Sequence, residues 1–371
     1  MLYHLLMPLI NKEIFGYTIF NVIQYVTFRS IAAFITAIFI SIFLGPKFIS
    51  LLKKHQAVET IDDDLPETHR SKKGTPTMGG LIVLSSLLIS SLLWNNLTNS
   101  QVLIMYLTTI WLGGVGFLDD YLKNFRHARK GLIAKYKLLL QVSFGLLVAS
   151  MLYYGNTVDI NIALINLPFL KESFLDLGWI FIPFAVFMIT GTSNAVNLTD
   201  GLDGLAGGTT AIVVFALGIM AYLKGHFVIA EYLNLDFISN AGELTVFTAA
   251  LVGTLLGFLW YNIKPAQIFL GDTGSLALGG IISVLAILLR EEFFFAIASG
   301  IFIVEALSVI LQRYYFKYTR IKTGTGKRIF KCAPIHHHFE MKGIPENKIV
   351  FRFWIVAFLL AAVALATLKM R

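Results

Sequence analysis

The amino-acid sequence predicts an all-α, polytopic membrane fold of about ten spanning helices, with one small β-hairpin on its outer surface. Three observations predict it. Of the 371 residues, 56% are hydrophobic and 14% charged, and the mean hydropathy is +0.73; a soluble domain carries roughly 25% charged residues. Ten stretches are apolar over the length of about 20 residues that a spanning helix needs. Lysine and arginine, finally, are gathered in alternate loops between those stretches.

Residues 1–16 read as an interfacial lead-in, interrupted by Pro8, Asn11, Lys12 and Glu13. The spans follow at 18–45, 76–94, 102–118, 134–154, 178–197, 205–223, 244–261, 267–289, 293–316 and 349–368. The third is short, and only "NIKPAQ" parts the seventh from the eighth. Between the fourth and fifth, "VDINIALINL" (158–167) sets Val158, Ile160 and Ile162 against polar neighbours. That period of two is a strand pattern and predicts the hairpin. No internal repeat supports an inverted-repeat transporter, so 1–371 reads as a single integral membrane unit.

Basic loops face the cytoplasm. The loop after the first span carries Lys47, Lys53, Lys54, Arg70, Lys72 and Lys73; the loop after the third carries Lys123, Arg126, Arg129, Lys130, Lys135 and Lys137. Nine more lysines and arginines lie from Arg313 to Lys348, against only Lys171, Lys224 and Arg290 on the other side. Both termini are therefore expected outside. The formal net charge of +8 is largely this asymmetry, and it argues for a membrane and against nucleic acid. The one cysteine, Cys332, excludes an internal disulfide and a multi-cysteine metal site.

Nearly every unusual polar residue falls at a cytoplasmic helix end or loop, whereas a carrier or channel needs ionisable groups near mid-membrane. Only Glu305 lies deep in a predicted span, as a proton site or as a structural hydrogen bond. "GFLDDYLKN" (116–124) ends the third span with Asp119 and Asp120. Adjacent carboxylates stay ionised cheaply only beside a cation. Their hard oxygens suit Mg²⁺, which binds through one or two carboxylates plus substrate phosphates; a helix end paired locally with Lys123 is the bland alternative. "NAVNLTDGLDGLAGG" (194–208) ends the fifth span with Asn194, Asn197, Asp200 and Asp203 three residues apart. At 100° per residue the stripe drifts by roughly 60° per step, so the glycines are expected to end the helix and turn the chain. "PAQIFLGDTGSLALGG" (265–280) places Asp272 at the start of the eighth span, as a metal ligand or as an N-cap. "HRSKKGTPTMGG" (69–80) adds Lys72, Lys73 and a glycine turn. Acids, amides and basic loops on one face suit a Mg²⁺-assisted phosphate reaction with a lipidic acceptor.

"PIHHHFE" (334–340) puts three histidines in the most basic loop. Adjacent rings converge poorly on zinc, and no cysteine or spaced histidine pattern supports such a site. Phosphate or sugar contact, proton transfer and ordering of the loop remain open, since imidazole titrates near neutrality.

Together "KKGTPTMGG", "GFLDDYLK", "NAVNLTDGLDGLA", "FLGDTGSLALGG" and "APIHHHFE" resemble, in order and over roughly 70–340, the signatures of bacterial phospho-N-acetylmuramoyl-pentapeptide transferases. These belong to the superfamily of polyprenyl-phosphate N-acetylhexosamine-1-phosphate transferases. The resemblance implies a reaction in which UDP-N-acetylmuramoyl-pentapeptide and undecaprenyl phosphate give lipid I and UMP with Mg²⁺. It also implies ten transmembrane helices around a cytoplasmic cleft, usually in a homodimer, in the bacterial inner membrane. On the same ground Asp119 and Asp120 match the paired catalytic aspartates and Asp272 the third, metal-binding acid. Asn194, Asn197, Asp200 and Asp203 match the nucleotide and Mg²⁺ region, and Asn262 and Phe269 the place where uracil is held. Lys72, Lys135 and His336, His337 and His338 match further active-site positions, with His336 the catalytic candidate. A relative using another UDP-N-acetylhexosamine is the alternative. A prenyltransferase would want a third acid where Asn124 stands, and a lipid-sugar carrier would need a polar path through the bilayer.

Overall fold

The computed structural model describes residues 1–371 apart from 11, 13–17, 56–73, 127–130, 156, 157, 159, 167–173, 370 and 371. In chain order the α-helices are α1 (Leu2–Leu6), α2 (Val26–Lys54), α3 (Gly80–Trp94), α4 (Ser100–Asn124), α5 (Ala134–Tyr154), α6 (Phe181–Thr199) and α7 (Leu205–Lys224). They continue as α8 (Phe227–Tyr232), α9 (Gly242–Asn262), α10 (Gly271–Leu288), α11 (Glu292–Ala298), α12 (Gly300–Thr323), α13 (Ile335–Glu340) and α14 (Glu346–Ala366). Strands β1 (Leu164–Asn166) and β2 (Phe174–Asp176) form the small sheet, and short 3-10 helices lie at Met7–Leu9, Ile19–Gln24, Gly178–Ile180 and Thr367–Lys369. Eight helices are long and apolar enough to cross a membrane, nine if the bent pair α11–α12 counts as one span. With the shorter α3, these correspond one to one with the ten expected stretches. The protein is a multi-pass membrane protein.

The first, second and ninth expected spans and the hairpin differ in their bounds for a physical reason, and the third, expected at 102–118 and short, runs 25 residues from Ser100 to Asn124. The first span was expected to end at 45, yet α2 runs on through Pro46 to Lys54. Proline offers no N–H to the carbonyl four residues back; here the Tyr261 hydroxyl of α9 donates to that Ile42 carbonyl at 2.7 Å. The second begins only at Gly80, because 76–80 pair with the chain before α10. Phe269 N–H donates to Pro76 O at 2.9 Å, and Gly79 and Gly80 N–H donate to Phe269 O and Leu270 O at 2.7 Å. The ninth breaks by 74° between α11 and α12, at Ser299–Gly300, a residue pair that permits sharp kinks. Within the expected 158–167 stretch the strand is Leu164–Asn166; ahead of it the Asn161 side chain accepts the Ala163 N–H at 3.0 Å and turns the chain. Leu164, Ile165 and Asn166 then pair antiparallel with Asp176, Leu175 and Phe174.

α10 is the central post, buried without interruption from Thr273 to Leu288 and packed by α4, α6, α3 and α7. The contact with α4 is backbone to backbone, since a Cβ on Gly116 would lie 2.1 Å from Asp272 O. Only glycine allows that approach, and it brings Asp119 and Asp120 to the first turn of α10. At the other end of the bundle, Arg29 of α2 makes a two-pronged pair with Glu243 of α9 at 2.7 and 2.6 Å. Arg290 there donates to Leu164 O at 2.8 Å and fastens the hairpin.

Candidate active site

Four helix ends meet at the start of α10. Asp272 Oδ2 accepts Lys123 Nζ from α4 at 2.9 Å and Lys137 Nζ from α5 at 2.8 Å. Its Oδ1 accepts Asn197 Nδ2 from α6 at 2.6 Å, and the same amide donates to Ser275 Oγ at 2.8 Å. Asp119 Oδ2 lies 2.6 Å from Lys123 Nζ and 3.5 Å from Lys137 Nζ, while its Oδ1 accepts the Leu132 N–H at 2.6 Å. Two carboxylates thus share two ammoniums, a charge-balanced group at the membrane edge.

Asp120 does something different. Its Oδ1 accepts the Asp272 N–H at 3.2 Å, and its Oδ2 accepts the Thr273 N–H at 2.8 Å and the Thr273 hydroxyl at 2.6 Å. The first N–H groups of a helix have no partner within it and favour a negative charge. Asp120 caps α10 from a neighbouring helix and so fixes the turn that carries Asp272.

A hard divalent cation fits the donors of Asp119 and Asp272, whose oxygens already converge on shared cations. Among the described residues, no group of three or more histidine, cysteine or acidic side chains is arranged to hold a metal ion. The remaining ligands would have to be substrate phosphate and water, the usual habit of Mg²⁺.

Lys135, expected in the site, is exposed and forms no ion pair among the described residues; Lys137 takes that place. Two residues apart on a helix means about 200° apart, so only one of the two lysines can face α10. Gln141, one turn beyond Lys137, shares its face and accepts Asn194 Nδ2 at 2.9 Å. The spacing of Lys137 and Gln141 was the available signal. Lys137→Met should therefore cost about tenfold to a hundredfold in turnover, the loss of one charged hydrogen bond. Lys135→Met should change it by less than about threefold; initial rates of lipid product formation distinguish them.

The remaining expected residues frame the site. Asp200 caps the C-terminus of α6. Asp203 accepts the Ala266 N–H at 3.2 Å, and its own N–H donates to Glu346 at 2.8 Å. Asn262 accepts the Gly204 N–H at 3.0 Å and donates to Ile268 O at 2.9 Å. These bonds tie the 200–204 turn to the 262–270 segment, where Phe269 is half-buried. Lys72 lies outside the described residues.

The three histidines of α13 face three partners. His336, fully buried, approaches Glu305 of α12, with Nδ1 3.1 Å from Oε2. His337 Nδ1 pairs with Glu340 Oε2 at 2.6 Å. His338 Nδ1 accepts the Lys331 N–H at 3.0 Å; burial, then the nearby Lys342 and Lys331 ammoniums, hold this imidazole below its ordinary pKa.

Beside the cluster runs an apolar groove of about 930 Å³ between α6 and the bent pair α11–α12. Phe187, Met188, Leu198, Phe295 and Ile303 line it, Asn194 borders it, and Arg313 and Lys317 lie along its α12 side. The 74° bend holds α11 and α12 apart in direction and gives the groove its shape.

The sequence profile of Glycosyl transferase family 4 matches residues 102–290. A phospho-N-acetylmuramoyl-pentapeptide-transferase of Chloroherpeton thalassium is 47% identical over 371 residues, all of both chains. One from Chlorobaculum parvum is equally similar, 47% over 371 residues and the full length of each. One from Thermodesulfovibrio yellowstonii is 47% identical over 351 residues, 95% of this chain and 96% of its own. The matched interval runs from α4 to the end of α10 and holds the four-charge cluster whole, and with such identity from end to end the chain belongs to the phospho-N-acetylmuramoyl-pentapeptide-transferase family.

Proposed function

We propose that the protein moves phospho-N-acetylmuramoyl-pentapeptide from its UDP-linked precursor to undecaprenyl phosphate, giving lipid I and UMP for peptidoglycan synthesis. The observation that carries the reading is the junction of the groove with the charge cluster: Asn194 borders the groove, and Asn197, one turn on, holds Asp272. A long hydrocarbon tail suits the groove, and its phosphate is then delivered to the cations.

An oxygen of the lipid phosphate attacks the sugar-bearing phosphorus, and the bond from that phosphorus to the bridging oxygen breaks, releasing UMP. Lys123 and Lys137 supply positive charge where negative charge gathers on the transferring group. Asn197 and Asp119 hold those ammoniums and Asp272 in register. Mg²⁺, held by Asp272 and Asp119, would neutralise the diphosphate and make it a better leaving group.

The decisive experiment incubates purified protein with radiolabelled UDP-N-acetylmuramoyl-pentapeptide, undecaprenyl phosphate and Mg²⁺. Label should enter the lipid extract, and excess EDTA should abolish it. Transfer from UDP-N-acetylglucosamine alone would assign the chain to a different sugar, and full activity in EDTA would remove the metal.

The site faces the cytoplasm in this reading, across the bacterial inner membrane, and the assembly is a homodimer, which cross-linking in membranes would detect. In a Cys332→Ala background, a cysteine replacing exposed Thr98 should react with an impermeant thiol reagent added to intact cells. One replacing exposed Thr325 should not. The reverse pattern would invert the orientation.

A further inference from the structure

Glu305 has no role in the transfer as derived so far, yet it is placed with care. It lies on α12 with its side chain fully buried, opposite an equally buried His336. Their closest atoms, Oε2 and Nδ1, are 3.1 Å apart, off the line of a hydrogen bond. Both carboxylate oxygens and both ring nitrogens are buried without a hydrogen-bond partner. Native interiors seldom leave such atoms unpaired. A small rotation of the imidazole that points Nδ1–H at Oε2 satisfies one atom on each side at once.

The other ring nitrogen faces the turn after α6. A Cβ on Gly201 would lie 2.2 Å from His336 Nε2, so the ring is seated directly on the 200–204 turn, and only glycine leaves room for it. On its groove side, α12 carries Ile303, Ala306 and Leu307. Glu305 therefore joins the helix that walls the groove to the histidine seated on the turn, and the last turn of α6 just before it carries Asn197, which holds Asp272.

We infer that Glu305 is a positioning residue: its carboxylate holds His336 in the tautomer with hydrogen on Nδ1, which fixes the ring against Gly201 and the turn against α10. The partner of one ring nitrogen decides which nitrogen carries the hydrogen. The inference rests on the transferase reading, and its test has one arm that does not.

Glu305→Gln keeps the shape and removes the charge, and its amide can donate to Nδ1 and so impose the opposite tautomer. It should lower kcat about tenfold or more with the KM for the UDP-linked donor within about twofold, the pattern of an interaction that matters in the transition state. In a His336→Ala background it should cost nothing further, since residues acting through one another are non-additive. A multiplicative loss, or an unchanged kcat, would overturn the inference. The second arm is the ring ¹⁵N spectrum of histidine-labelled wild-type protein, assigned by loss of one signal in His336→Ala. Hydrogen on Nδ1 is expected; hydrogen on Nε2 alone would overturn the proposal even if Glu305→Gln failed to fold. A wild-type protein that transfers no phosphosugar would instead defeat the transferase reading and leave the spectrum to decide the pair.

Discussion

Asp272→Asn is expected to lower turnover by about a thousandfold while the protein stays folded. The substitution keeps the backbone N–H that Asp120 caps and an oxygen for Asn197 Nδ2. What it removes is the charge to which Lys123 and Lys137 both point. Those ammoniums would turn to Asp119 or to solvent, and the Mg²⁺ proposed for this site would lose a carboxylate ligand. Lipid product formation measures the first effect and a thermal melt in detergent the second. A variant that keeps a tenth or more of wild-type turnover, by that rough scale, would show that Asp272 is not the centre of the site.

Asp120→Ala should fail in another way. It strips the partner from the part-buried Asp272 N–H and from the buried Thr273 N–H and hydroxyl at the first turn of α10. Each unmet donor costs about 1–3 kcal/mol. A lowered melting temperature should accompany lost turnover, because the turn that aims Asp272 is no longer held. Loss of turnover with an unchanged melt would move Asp120 from the frame into the chemistry. Turnover and melting temperature, measured together on the two variants, thus separate the role of Asp272 from that of Asp120.

Much of this was legible in the sequence. The spans stood out by their apolar length, and the acids stood out because they end spans on one face. The remainder depended on contacts between residues far apart in the chain. Choosing Lys137 over Lys135 requires the rotation of α5 about its axis, which is set by packing against α6 and α4. That Asp120 caps α10 follows from Gly116, whose missing side chain lets two backbones touch across more than 150 positions of sequence. The passage of α2 through Pro46 needed a hydroxyl from α9. His336 and Glu305 were each singled out, but nothing local says that they meet. The bend at Ser299–Gly300 falls inside an unbroken apolar run, so hydropathy alone read it as one straight span.

That bend has a bearing on how the reaction is supplied. With the lipid tail in the groove between α6 and the broken helix, as proposed above, the lipid substrate reaches the site without leaving the bilayer. Its encounters are then counted per unit of membrane area and not per unit of solution volume. An apparent affinity for the lipid, measured in micelles, should follow its mole fraction in the detergent, and dilution with inert amphiphile should slow the reaction at constant total concentration. The soluble donor should be indifferent to that dilution, so one enzyme would obey two-dimensional kinetics for one substrate and three-dimensional kinetics for the other.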